Sequence, residues 1–497
     1  MTDITSKLNR DSGARTLLPG SDARAALRKR RTLKDKISRW GITTAGFGVV
    51  FALAMIFVYL FYEVFPILKG ATVTPQATYS LPVAEGQTQS ILIERYEELG
   101  LQYTDNGVLT FFQLDNGSIR RQIELPVPED ATITAFGSSE PIGGVVAHGL
   151  DNGQVLVVKH DYDLSFPAGS RVITPKVTFP FGEEPIVLDA EGSALRHVAI
   201  ETVTRGSGGT LIAALTDDNR LLLTSLTSRT NMMTGAVEVQ TRNVQLPRLP
   251  AEPVKMLLDK ALRSLFVADV NGLVHYYDVS TPANARLVQS VDAGQGSPIT
   301  AIEFLVGTVS LVVGNERGEL TQWFLVRDEN NNYDLTYIRD FKSHNAPITA
   351  IAPEYNRKGF LVGDAEGKLG VHYGTSAQTL YLKKYTDKPI SRVAISPVNG
   401  RLMALDEDNQ LHIAGMWNQH PQLSFGALWN KVWYEGRSDP EYIWQSSSGS
   451  DEFESKFSLV PLSIGTLKAA FYAMLFAMPL AIAGAVYTAY FMSPKLR

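Results

Sequence analysis

Two uncharged stretches interrupt a chain that otherwise alternates between apolar and polar positions. The first is Gly41–Tyr62, "GITTAGFGVVFALAMIFVYLFY". At about 1.5 Å per helical residue it reaches roughly 30 Å, the thickness of a hydrocarbon core. A cleaved signal peptide is the alternative. Against it, the apolar run is too long and is followed by "EVFPILKG" rather than a small-x-small cleavage site. The second stretch, Ala469–Met492, "AAFYAMLFAMPLAIAGAVYTAYFM", contains Pro479. Inside a membrane, neighbouring helices can re-satisfy the backbone groups that a proline frees. The alternative there is a buried helix of a soluble protein.

Between these spans no long 3.6-residue period occurs. Short alternating runs are instead punctuated by Asp/Asn/Gly turns: "YTDNGVLTFFQL", "GLDNGQVLVVKH", "LTDDNRLLLTSL", "VADVNGLVHYYDV", "VVGNERGELTQWFLV", "LVGDAEGKLGVHYGT" and "ALDEDNQLHIAGMW". One turn residue from each, Asp105, Asp151, Asp217, Asp269, Asn315, Asp364 and Asp406, gives steps of 46, 66, 52, 46, 49 and 42. A period in the forties with hairpin chemistry at constant phase is the pattern of β-propeller blades. A second register agrees: Pro253, Pro298, Pro347 and Pro389 recur at strand starts, where a missing backbone donor is tolerated. One blade reads in full as "ITAIEF", "VSLVVG", "LTQWFLV" and "YDLTYIRDF". The expected fold is therefore membrane-anchored and all-β, a WD40-like propeller of about seven blades between two transmembrane helices. The 66-residue step leaves room for an insertion or an eighth blade.

Bulk composition adds little: 44% hydrophobic, 20% charged, net −5 and no cysteine. Charge distribution adds more. Residues 1–40 hold eleven Lys or Arg against four acids, and "PKLR" follows the second span. By the positive-inside rule both ends lie in the cytoplasm and the domain between them lies outside. The expected organisation is a basic cytoplasmic arm (1–40), a transmembrane helix (41–66) and a periplasmic propeller (75–417). An aromatic linker (418–457), a lead-in with the second transmembrane helix (458–492) and a cytoplasmic end (493–497) follow. The basic arm reads as a topology anchor, with no aromatic interleaving to suggest nucleic acid.

Candidate chemistry is sparse. Asp328–Asp334 and Asp406–Gln410 alternate oxygen ligands but lack the sixth-position glycine and twelfth-position acid of a calcium loop, and read as hairpin turns. Gly363–Lys368 lacks phosphate-loop spacing. His344 reads as a structural turn histidine. No catalytic, cofactor or metal residues emerge, and the chain is not expected to be an enzyme. Trp429, Trp433, Tyr434, Tyr442 and Trp444 precede the second span, suggesting an interfacial helix over Ser424–Gly436 or, alternatively, rings packed under the propeller. Lys468 can snorkel toward headgroups.

The final segment, with Gly465, Thr466 and Leu467, "MPLAI.GAVYTAYFM" and "SPKLR", resembles the first core helix of the C-type membrane subunit of the phosphate-specific ABC importer. The preceding "WYEGRSDPEYIWQSSSGSDEFESKFSLVPL" resembles long-form permeases with a large periplasmic insertion. The resemblance covers residues 417–497 well and 30–70 loosely, and the propeller only by position and size. It implies a bacterial inner-membrane location and a part in inorganic phosphate import. The implied partners are a second permease subunit, an ATPase subunit and a periplasmic phosphate-binding protein. Such permeases continue through further helices, so the sequence is expected to be their N-terminal part, with substrate-contacting residues beyond Arg497. The competing readings are a membrane-anchored envelope scaffold without transport and a quinoprotein-type enzyme. The last would want a calcium-ligating cluster and tryptophans within the repeats.

Overall fold

The computed structural model describes residues 21–65, 69–82, 86–203, 209–230, 237–448 and 453–493. The chain forms two units, Met1–Lys69 and Gly70–Arg497. Among the described residues, the first contains the helix α1 (Ser21–Val64). This corrects the expected boundary at residue 40, because half of the basic arm is continuous with the apolar span. The sequence "ARAALRKRRTLKDKI" explains it, being built mostly from strong helix formers with no Pro or Gly before Gly41. Residues 1–20 lie outside the described residues. The helix stops short of the expected residue 66, two positions before Pro66, whose ring disfavours helix in the residue ahead of it. The stretch Ala25–Val64 is long and apolar enough to cross a membrane.

The second unit is a seven-bladed β-propeller. Its first strand, β1 (Thr72–Ser80), belongs to the last blade. Blade 1 is β2 (Thr88–Ile93), β3 (Leu99–Thr104), β4 (Val108–Gln113) and β5 (Ile119–Glu124). Blade 2 is β6 (Ile133–Ser138), β7 (Val145–Leu150), β8 (Gln154–Ser165) and β9 (Val172–Thr178), with β10 (Ile186–Val187) added on β8. Blade 3 is β11 (Leu195–Val203), β12 (Gly209–Thr216), β13 (Leu221–Thr230) and β14 (Val237–Leu246). Blade 4 is β15 (Pro253–Leu258), β16 (Ser264–Asp269), β17 (Leu273–Asp278) and β18 (Arg286–Asp292). Blade 5 is β19 (Ile299–Phe304), β20 (Ser310–Asn315), β21 (Leu320–Arg327) and β22 (Tyr333–Asp340). Blade 6 is β23 (Ile348–Pro353), β24 (Gly359–Asp364), β25 (Lys368–Tyr373) and β26 (Gln378–Lys384). Blade 7 is β27 (Ile390–Ile395), β28 (Arg401–Asp406) and β29 (Gln410–Trp417), completed by β1. Below, A to D denote the strands of a blade from the axis outward. The 66-residue step is an insertion within blade 2, the long β8–β9 hairpin and β10, and not an eighth blade.

All seven predicted turns are B–C turns, and each contains a positive-φ residue: Gly107, Gly153, Asn219, Gly272, Gly318, Gly367 or Asn409. In blades 4 to 7 the residue three places earlier is Asp269, Asn315, Asp364 or Asp406. Its Oδ1 accepts two turn amides, for example Glu366 N at 2.9 Å and Lys368 N at 2.8 Å on Asp364. In blades 1 to 3 that position is Thr104, Leu150 or Thr216, so Asp105, Asp151 and Asp217 sit one residue past the equivalent site.

The free Oδ2 then ties the layers of a blade together. Asp269 Oδ2 lies 3.1 Å from His275 Nε2, and His275 Nδ1 lies 2.7 Å from Ser290 Oγ on the outer strand. In blade 7, Asp406 meets His412 at 3.0 Å and His412 meets Thr78 of β1 at 3.2 Å. Blade 6 has Gly370 where those blades have histidine, and a β-carbon there would lie 2.6 Å from His344 Nε2. His344 fills the space: its Nδ1 is 3.0 Å from Asp364 and its Nε2 is 3.2 Å from His372, which reaches Thr379. Burial and the neighbouring His344 push the His372 pKa well below its ordinary value, so the His372 ring is neutral. His344 is thus structural.

Adjacent blades meet through apolar side chains, as where Leu361, Leu369 and Val371 of blade 6 cluster with Ile390, Val393 and Leu402 of blade 7. In blades 2, 5 and 6 strand B carries a glycine, Gly149, Gly314 or Gly363, where the next blade's A strand crosses it. A β-carbon on Gly363 would lie 2.5 Å from Ile390 Cγ2, and one on Gly314 2.7 Å from Ile348 Cβ. These glycines are needed for close approach and not for an unusual φ. Gly363→Ala should therefore destabilise the propeller by about 1–3 kcal/mol through overpacking. Gly209→Ala, whose β-carbon would be 3.7 Å from its nearest neighbour, should be close to neutral. Thermal or denaturant unfolding of the two variants checks the contrast.

Candidate functional site

Each A strand opens with a bulge, so its third residue falls at one level around the axis. The bulges lie between Thr88/Ser90, Ile133/Ala135, Leu195/His197, Pro253/Lys255, Ile299/Ala301, Ile348/Ala350 and Ile390/Arg392. The resulting ring is Ser90, Ala135, His197, Lys255, Ala301, Ala350 and Arg392: three small aliphatics, one hydroxyl, three basic residues and no acid. All of these except Ala135, which packs into the apolar core beside Leu195 and Val198, line an axial channel of about 400 Å³ bordered by all seven A strands. Lys255 Nζ pairs with Glu303 at 2.6 Å. Arg196, one residue earlier on β11, pairs with Glu252 at 2.9 Å and Asp217 at 3.5 Å. Burial lowers the His197 pKa against the opposing pull of Glu252, so its ring adds a hydrogen-bonding group at neutral pH and no full charge.

The end of the channel at the A–B turns is crossed by a side chain. Glu140, in the A–B turn of blade 2, accepts the Gly307 amide of blade 5 at 2.9 Å and pairs with Lys260 of blade 4 at 3.0 Å. The Glu140 amide in turn donates to Glu201 Oε2 at 2.9 Å. Glu201 is buried, and desolvation pushes its pKa from 4.5 up to about 7 even though two backbone amides donate to it.

The same A–B and C–D face, at blades 5 and 6, is covered by the segment after β29. Glu435 accepts Ser310 Oγ and Lys358 Nζ, each at 2.6 Å, while Lys358 also donates to Val306 O at 2.7 Å. Arg339 donates to the carbonyls of Gly374, Thr375 and Trp433. Thr375 bonds Glu454, whose pKa burial and then Glu435 raise. Trp433 meets Phe324 edge to face at 6.2 Å, and Tyr434 is buried with Ala427, Val432 and Ile443. The expected interfacial helix over Ser424–Gly436 shrinks to α2 (Phe425–Trp429), capped by the Ser424 hydroxyl on Ala427 N at 2.9 Å. Past Asn430 the chain must turn to bury Val432 and Tyr434. Of the proposed membrane-interface residues, then, Tyr434 is buried against the propeller, Trp433 is half-buried there, and Trp429 remains 41% exposed. The pair β30 (Trp444–Gln445) and β31 (Lys456–Phe457) closes the segment. Leu459 N then bonds Leu428 O at 2.8 Å as the chain enters α3 (Val460–Tyr490), which carries Gly465, Thr466, Leu467 and Lys468 on its exposed early turns. Like α1, α3 is long and apolar enough to cross a membrane. None of these residues borders the channel.

Arg392, Glu140, Glu201, Lys358 and Glu435 were not singled out by sequence. Arg392 and Lys255 had a signal, since both stand two or three places after a strand-start proline, in phase with Ala301 and Ala350. The other four depend on turns meeting across the axis or on a distant segment folding back.

No family model and no curated protein matches this chain. Among solved structures, the β-propeller domain of Myceliophteria thermophila Cps50 (Swd1) is similar, with 11% identity over 69% of this chain and 99% of that one and a TM-score of 0.46. The fold assignment rests on the strand topology above.

The raised Glu201 pKa has a signed consequence. The folded state holds the proton more tightly than the unfolded chain, so this group's contribution is fully present below about pH 4.5. It is lost as pH rises toward about 7. Glu201→Gln removes this titration, but its amide nitrogen cannot accept the second backbone N–H, so the variant should lie below wild type near pH 4.5 and gain on it by on the order of 1–3 kcal/mol as pH rises past about 7. Unfolding midpoints across that range measure the difference.

Proposed function

We propose that this chain is a propeller-bearing part of the membrane subunit of a bacterial importer, of the phosphate-specific ABC type. The observation that carries the reading is the closing register Thr72↔Trp417. It puts the chain's lead from α1 and its lead toward α3 at the same end of the same blade, on the A–B and C–D face. The described residues between 418 and 459 then pack on that face instead of forming a free tether. A propeller whose chain enters and leaves at one face, in a sequence with an apolar helix on either side of it, suits an extracytoplasmic module carried by membrane helices. Lys and Arg are concentrated before the span of α1 and after that of α3, which supports cytoplasmic ends and a periplasmic propeller, with the docked face toward the bilayer. The phosphate substrate rests on the resemblance of Gly465–Leu467 and the α3 sequence to C-type permeases. On this reading the partners are a second permease subunit, an ATPase and a phosphate-binding protein. A scaffold without transport is the second reading, favoured by the B–C and D–A face, which the docked segment leaves clear.

Deleting the gene should lower uptake of labelled phosphate at micromolar concentration at least tenfold, and the tagged chain should co-purify with an ABC ATPase from detergent extracts. Unchanged uptake with no ATPase bound would reject the importer and favour the scaffold.

A further inference from the structure

We infer that the axial channel is a binding site for a small polyatomic anion, held by the guanidinium of Arg392. The inference does not rest on the importer reading. It starts from the charge inventory of the channel wall. Lys255 is compensated by Glu303 at 2.6 Å, and Arg196 by Glu252 at 2.9 Å. Arg392 has no carboxylate partner among the described residues. Its Nε donates to Gln89 O at 2.9 Å and one Nη to Ser391 O at 2.7 Å. Two main-chain carbonyls therefore fix the plane of the fork, and the second Nη is left for the channel.

A cation withdrawn from water and given only neutral acceptors is electrostatically incomplete, and burial accordingly lowers the Arg392 pKa. The planar fork suits an oxyanion or carboxylate, whose charge-assisted bonds are the strong ones. At the same level of the ring, Ala301 and Ala350 leave room beside Arg392, and Ser90 and His197 supply neutral hydrogen-bonding groups. The hydroxyls of Thr300, Thr349 and Ser391 also border the space, although each donates to a strand-B carbonyl. Because Glu140 crosses the A–B end, the ligand would enter from the B–C and D–A face. An anion would meet Glu303 only where Lys255 already neutralises it.

The test uses the full chain in detergent and thermal unfolding with added inorganic phosphate, sulfate or malonate, against chloride at matched ionic strength. The midpoint should rise saturably with at least one polyatomic anion and not with chloride. Phosphate or sulfate acting alone would assign a tetrahedral oxyanion, and malonate acting alone a dicarboxylate. Arg392→Met should abolish the rise. Arg392→Lys keeps the charge but loses the fork and should bind about tenfold more weakly. It also carries the test if the methionine variant does not fold. No anion-specific rise, or an equal rise in the Arg392 variants, would overturn the site. The guanidinium would then be only a rivet between blades 7 and 1.

Discussion

A ring of sheets is stable only if it closes, and here closure depends on the pairing of β1 with β29. Eight residues of β1, from Thr72 to Ser80 around one bulge, pair antiparallel with Trp417 to Gln410. The pairing covers the open side of β29, which would otherwise be the edge of a three-stranded blade, and makes β1 the outer strand. It also fixes where the chain enters and leaves. Because β1 is the outer strand and β29 its neighbour, both leads emerge at one face. The Asp406–His412–Thr78 relay shows that β1 is chemically equivalent to the other outer strands: Thr78 does in blade 7 what Ser290 does in blade 4 and Thr379 in blade 6.

The docked segment builds on that geometry with an arrangement that is costly to take apart. Lys358 and Glu435 are nearly dry, with side chains 4% and 14% exposed. Removing either partner of such a pair leaves a buried charge, at a cost of about 3–5 kcal/mol. Arg339 and Glu454 repeat the logic nearby, with carbonyls and a hydroxyl completing the bonding. The A–B end of the channel is held by comparable means, through Glu140, Lys260 and the amide of Gly307. Ion pairs of this kind define geometry more than they add stability. In this molecule they define which face is covered and which end of the channel stays open.

Much of the blade architecture was legible because it is local. The Asp, Asn and Gly positions of the B–C turns, the strand-start prolines and the full reading of blade 5 all use information within a few residues of each other. The strand that completes blade 7 was not legible, since its partner lies more than 300 residues away and "TVTPQATYS" has no turn signal of its own. The aromatic linker was half legible: Trp433 and Tyr434 stood out, but burial under blades 5 and 6 and exposure at a lipid surface ask for the same residue types. The helical arm before Gly41 was missed because its charge drew the reading away from its helix propensity. Arg392 and Glu435 required the third dimension, since each acquires its meaning from what lies opposite it.

We propose that the A–B and C–D face, from which both leads emerge, is the membrane-proximal one. The chain has no cysteine, so single cysteines can be introduced and spin-labelled in nanodiscs. Val398, 52% exposed in an A–B turn, and Glu366, with its side chain 59% exposed in a B–C turn, mark opposite faces. A six-residue strand separates such faces by roughly 20 Å. With paramagnetic gadolinium on the lipid headgroups, the label at Val398 should relax much faster than the label at Glu366. Equal relaxation at both sites, or faster relaxation at Glu366, would contradict the orientation on which the account depends.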